Sequence, residues 1–124
     1  MMKHLICLAF VCVCCAQKSS DKKTLTHAAE YHSGAVALAK NVKYRLDSLN
    51  RIPIEDKSKL RSIENNFKEW ATDLVGVPGF ENEKNHDHEH GHEQIQATPN
   101  QLLDIQKELY HRIEKIHANL NNIK

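Results

Sequence analysis

The sequence predicts an all-α fold, an antiparallel three-helix bundle or a helical hairpin plus a third helix. Three observations on its 124 residues carry this. Apolar residues recur at heptad spacing in three separate stretches, only 4 Gly and 3 Pro interrupt the chain, and no alternating strand pattern competes. With 40% hydrophobic and 6% aromatic residues, the length suits one small domain and leaves no room for a two-domain enzyme.

The first stretch runs from Leu25 through Ala28, Ala35, Ala39, Val42, Leu46 and Leu49, with His32 filling one place in the seam. It reads as one amphipathic helix of roughly 27 residues, about 40 Å long. Its Ala-rich half permits close approach of a partner helix but buries little area, so Val42, Leu46 and Leu49 are expected to carry most of the packing. Pro53 breaks the pattern and suits a first helical turn, where Glu55 and Asp56 complement the helix dipole. The second seam is Leu60, Ile63, Phe67, Trp70 and Leu74, ending before Gly76 and Pro78. The short connection around Pro53 favours an antiparallel first pair.

The third helix opens at Thr98-Pro99-Asn100-Gln101, where Thr98 can cap, Pro99 occupies the first helical position and Gln101 can complete a capping box. Leu102, Leu109, Ile116 and Ile123 then repeat every seven residues, interleaved with Gln106, Ile113 and Leu120. The connection 76–97 between the second and third helices is far longer than a bundle needs. Val77-Pro78-Gly79-Phe80 reads as a turn that folds Phe80 back onto the bundle end, and 81–93 contains no apolar side chain.

Function is to be sought elsewhere than in net charge. Lys plus Arg is 17 against 16 Asp plus Glu, a net charge of +1, which gives no strong drive toward nucleic acid or anionic lipid, and the mean hydropathy of −0.59 is that of a water-soluble chain. All four cysteines, Cys7, Cys12, Cys14 and Cys15, fall in the first fifteen residues, so none is left for a disulfide framework or a Cys-based metal site in the domain. A basic start at 1–4 and the apolar run 5–14 have the anatomy of a signal peptide, too short to span a bilayer. An apolar run ending in cysteine resembles a bacterial lipobox. The expected organisation is a signal peptide over 1–14, a lipid-modified Cys15, a flexible polar tether over 15–23, and a helical domain over 24–124 with the His-rich loop at 76–97. Cys12 and Cys14 are alternatives for the modified residue, because Cys14 stands where a lipobox usually has Ala, Gly or Ser. An ordinary secretion signal cleaved near Ala16 is a further alternative. A multiply acylated cysteine would anchor the chain without a transmembrane helix. Gln17-Lys18-Ser19-Ser20-Asp21 resembles a surface-export signal with its acidic cluster reduced to one residue, which leaves the periplasmic and surface-facing sides of the outer membrane both open.

The unusual composition is 9 His, four of them in His86-Asp87-His88-Glu89-His90-Gly91-His92-Glu93. Imidazole nitrogen is a good ligand for Zn²⁺, Cu²⁺ and Ni²⁺, and carboxylates can complete the shell. In an extended segment His86, His88, His90 and His92 would line one side, with Asp87 and Glu89 on the other. The expected ligand set is therefore His86, His88, His90, His92, Asp87 and Glu89, and Zn²⁺ is the expected ion, with Cu²⁺ or Ni²⁺ as alternatives. The spacing His-Glu-x-x-His does occur at His88, Glu89 and His92, but in a tract with no apolar residue to seat it as the core-packed helix that a zinc hydrolase uses. Paired carboxylates, a nucleophile or a phosphate loop are not recognisable, so the expectation is capture, buffering or delivery without catalysis. The same histidines would serve pH sensing, since imidazole titrates near neutrality. His32 reads as a core or partly buried polar residue, and His27, His111 and His117 as solvent-facing.

Trp70, the turn Val77-Pro78-Gly79-Phe80-Glu81, the His tract and the segment Thr98-Pro99-Asn100-Gln101-Leu102-Leu103-Asp104-Ile105-Gln106-Lys107-Glu108-Leu109 together resemble small uncharacterised Bacteroidota lipoproteins in which a His/Asp-rich loop joins helical segments. The resemblance implies a membrane-anchored helical domain of the cell envelope and brings no reaction with it. The leading expectation is a lipoprotein whose helices hold a metal-binding loop away from the membrane, with an outer-membrane metal transporter as an expected partner. The alternative is a helical interaction protein whose exposed surface, such as the one bearing Lys107, His111 and Glu114, binds an envelope partner while the His loop is a spacer or pH-responsive segment.

Overall fold

The computed structural model describes residues 12–80 and 95–123, and over them the chain is all-helical. Helix α1 spans Cys12–Leu49, α2 Lys57–Asp73 and α3 Pro99–Asn121, with no strand among the described residues. The predicted all-α class is the observed one.

The helices run up, down and up. Along α1 and α3 the contacts advance together: Ala28 shares an apolar cluster with Leu102, His32 meets Gln106, and Tyr31 and Gly34 meet Tyr110. Along α2 they run backwards, with Trp70 reaching Leu109, Val75 reaching Gln106 and Val77 clustering with Leu102. The short connection after Leu49 does make α2 antiparallel to α1. The dominant packing, however, is between the parallel pair α1 and α3, with α2 laid mainly against α3.

The reason is a shared register. His32 and Gln106 are 74 positions apart, and the same offset sets Ala28 level with Leu102, Ala35 with Leu109, Ala39 with Ile113, Val42 with Ile116, Leu46 with Leu120 and Leu49 with Ile123. Small residues of α1 thus stand opposite large ones of α3, which lets the two backbones approach without leaving voids. Every seam residue of α3 is buried, from Leu102 through Gln106, Leu109, Ile113, Ile116 and Leu120 to Ile123. Full burial of one Leu or Ile side chain is worth about 1.5–3 kcal/mol, and the bulky end holds the fully buried Val42, Ile113 and Leu120. The α2 seam buries Leu60, Ile63 and Trp70, with Phe67 and Leu74 packed against them.

Two boundaries differ from the sequence expectation. Helix α1 has 38 residues and is already helical at Cys12, so the segment 15–23, read as a tether from its polarity, continues the helix. No Gly or Pro stands between Ala16 and Ser33 to stop it. The hydroxyls of Thr24 and Thr26 donate back to the carbonyls of Ser20 and Lys22 at 3.1 and 3.0 Å, so they do not compete with the helix. Residues 17–23 are exposed and lie before the level at which α3 begins. Helix α2 starts at Lys57, later than a start at Pro53 would place it. Asp56 takes the capping position, its Oδ1 accepting from the Lys59 amide at 3.0 Å and the Ser58 hydroxyl at 2.9 Å. Pro53 lies in the connection, beside Ile54, which is buried beneath it.

Helix α3 begins as its sequence predicts. Thr98 Oγ1 accepts from the Gln101 amide at 3.3 Å, and the Thr98 amide donates to Gln101 Oε1 at 2.9 Å, with Pro99 at the first helical position. Asn50 Nδ2 donates to Glu64 Oε1 across the first connection, and Arg112 pairs with Asp73 at 2.8 Å across α2 and α3.

Candidate functional site

The connection that carries the His tract leaves the bundle through a fixed root. After Asp73 the backbone turns extended at Leu74, with φ −67° and ψ 123°. The Val75 carbonyl accepts from Gln106 Nε2 at 2.8 Å, and Val77 is buried against Ala28 and Leu102. The Phe80 amide then donates to the Val77 carbonyl at 3.1 Å, closing a turn with Gly79 at φ +82°. Proline followed by a left-handed glycine is the sequence of a type II turn, and only glycine adopts that φ without strain. The turn is the predicted one, but Phe80 does not fold back. It is 41% exposed, and Val77, smaller and one turn earlier, fills the bundle end in its place.

The second root is the capping box at Thr98. Since Val77 and Leu102 cluster with Ala28, both roots lie at the end of the bundle from which the N-terminal turns of α1 project. The two roots therefore lie at the end of the bundle nearer the N-terminus of α1.

The predicted ligands His86, Asp87, His88, Glu89, His90 and His92 lie outside the described residues, and Cys15 falls within the first turns of α1. Among the described residues, no group of three or more His, Cys, Asp or Glu is placed to hold a metal ion. The described histidines behave individually. His27 Nδ1 pairs with Glu30 Oε2 at 3.0 Å and His111 Nδ1 with Glu114 Oε2 at 3.1 Å, both on exposed helix surface as expected. His117 is half-buried, not fully solvent-facing. His32 is half-buried in the seam, where its Nδ1 donates to Gln106 Oε1 at 3.3 Å, because an amide oxygen can only accept.

The sequence pattern places Gln106 among the interleaved members of the α3 stripe and assigns it no role of its own. It is the one fully buried polar side chain among the described residues, and its amide spans the fold. The oxygen takes α1 and the nitrogen takes the root after α2. The signal was present, since His32 and Gln106 are the polar members of two otherwise apolar seams. Trp70 is buried with its indole donating to the Leu109 carbonyl at 2.8 Å, and Phe67 stacks on it at 5.9 Å. Burial of the ring and a partner for its N–H are what an indole in a core requires.

Two groups are electrostatically displaced. The amide of Lys59 and the hydroxyl of Ser58 hold the Asp56 carboxyl below its ordinary range. Glu114, one turn on, pushes the Tyr110 hydroxyl upward, with burial and Tyr31 adding to it. Among the described residues, no helix is long and apolar enough to cross a membrane. No family model, curated protein or solved structure matches the chain.

Proposed function

We propose that this protein is a lipid-anchored envelope protein that binds a divalent transition-metal ion, Zn²⁺ foremost, through His86, His88, His90 and His92 with Asp87 and Glu89, and holds it for capture, buffering or delivery to a membrane transporter. The observation that carries the reading is the tract itself, four imidazoles alternating with acids and one glycine in a segment with no apolar residue. Such a segment has ligands and no core-forming role. Two described features support it. The roots of the connection are held by Val77, Gln106 and the Thr98 capping box, so the His tract is joined at both ends to a packed frame. Cys15 stands in the first turns of a continuous helix into that frame, which suits attachment through it.

The role is binding without turnover. Imidazole ligands must be deprotonated, so acid releases the ion, and the tract responds to pH through the same groups. The test is calorimetric titration of the chain from Ala16 with Zn²⁺, Cu²⁺ and Ni²⁺ at neutral and mildly acidic pH, beside a variant with all four tract histidines changed to Ala. The expected outcome is a tight Zn²⁺ site that weakens in acid and vanishes in the variant. Affinity that is weak, or equal in the variant, sinks the reading and turns attention to the exposed surface bearing Lys107, His111 and Glu114 as a protein-binding face.

A further inference from the structure

We propose that the end of the bundle formed by Ala28, Val77 and Leu102, with the roots of the 81–94 segment, faces the lipid surface that holds the anchor and stays within about 20 Å of it. The inference rests on the anchoring part of the proposed reading and not on metal binding.

Helix α1 is unbroken from Cys12 to Leu49, and no Gly or Pro lies between Cys15 and the level of Leu25 where the bundle begins. Anchor and bundle are therefore joined by continuous helix with no helix-breaking residue between them. At 1.5 Å per residue, the ten residues from Cys15 to Leu25 amount to about 15 Å, whereas Leu49 stands about 50 Å along the same axis. However the helix tilts, the root-bearing end at Ala28 rises no more than about 20 Å from the anchoring point, while the connection at Asn50–Ile52 is free to swing far from it. A flexible tether over 15–23 would have left both ends equally free; the continuous helix does not.

The chemistry of the projecting turns agrees. Lys18, Lys22 and Lys23 are exposed with only Asp21 to oppose them. Lys18 and Lys22 are four residues apart, on one face of the helix. A small excess of ammonium groups beside an anchored cysteine suits the phosphates of a membrane surface, to which each basic side chain near the surface adds an attraction of its own. The seven residues 17–23 carry no large apolar side chain, so they contact headgroups and do not enter the hydrocarbon.

The experiment uses the full chain, processed in a bacterial host and reconstituted in phospholipid vesicles that carry a quencher on the headgroup. A fluorophore is attached through a bioorthogonal side chain in place of Gln96, at the root end, or of Arg51, at the opposite end; both positions are exposed. The expected result is quenching several-fold stronger at 96 than at 51, and loss of that difference when a Gly-Gly-Ser-Gly insertion after Lys23 breaks the helix. Equal quenching in the uninterrupted chain, or stronger quenching at 51, overturns the proposal. Intact mass of the same sample keeps the premises apart: a chain without an acyl group overturns the anchoring reading and this inference together, while an acylated chain with equal quenching overturns the orientation alone. Zinc titration bears on neither outcome.

Discussion

At the scale of single residues, Gly34 shows how a helix interior can hold its least favoured ordinary residue. A Cβ built there would stand 2.9 Å from Cε2 of Tyr110, whose ring also meets Tyr31 edge-on at 5.7 Å. The glycine sits in ordinary helical backbone, so close approach and not left-handed geometry requires it. Ala in place of an interior helical Gly ordinarily gains about 1 kcal/mol. Here the Tyr110 ring must shift to admit it. We expect Gly34→Ala to lower the urea midpoint in the native background and to raise it in a Tyr110→Ala background. An equal gain in both would show that the ring does not dictate the glycine. Nothing in the sequence around Gly34 announces this, because the reason for it lies on another helix.

At the scale of elements, the helices were legible wherever one repeat or one local motif suffices. The α3 seam from Leu102 to Ile123 is buried in full because a sustained heptad admits one register, and Thr98-Pro99-Asn100-Gln101 is a start signal whose partners all lie within four residues. The start of α1 was not legible, since polar residues such as Lys18 and Ser19 fit a tether or an exposed helix equally well and only continuity with the turns after Leu25 decides between them. The start of α2 was misplaced because Pro53 and Asp56 both signal a helix start, and the carboxylate makes the bonds. The two caps give separable expectations. Thr98→Ala should cost about 1 kcal/mol of unfolding free energy at any pH, the usual loss for a hydroxyl cap. Asp56→Ala should matter only where the carboxylate is charged. Its folded-state pKa is lowered, so its contribution is complete above the ordinary carboxylate range and is lost as pH falls through the depressed value. Urea unfolding of both variants at neutral and strongly acidic pH checks this. The deficit of Asp56→Ala relative to the native chain should vanish in acid, whereas that of Thr98→Ala should persist.

At the scale of the whole molecule, the three elements meet in one amide. Gln106 receives His32 of α1 on its oxygen and gives its nitrogen to the Val75 carbonyl, the backbone group at which the chain leaves α2 for the His-bearing connection. A polar layer in an apolar seam lowers the stability available there but fixes the register of the helices it joins, as a buried Asn does in coiled coils. It was half legible: the two side chains break their stripes at matching heptad places, but a backbone carbonyl from a third segment carries no sequence signal. Gln106→Leu should deprive His32 Nδ1 and the Val75 carbonyl of a partner at once, at a cost of about 1–3 kcal/mol. Adding His32→Leu should return part of that loss by replacing the mismatch with an apolar layer, so the pair should show a coupling of about 0.5–3 kcal/mol in a double-mutant cycle. The Val75 carbonyl is not restored by the second change. Amide exchange across residues 75–80 should therefore stay faster than native in the double variant even as global stability recovers. Strictly additive substitutions would show that Gln106 does not couple α1 to the rest, and native exchange at 75–80 would show that Val77 alone secures the root.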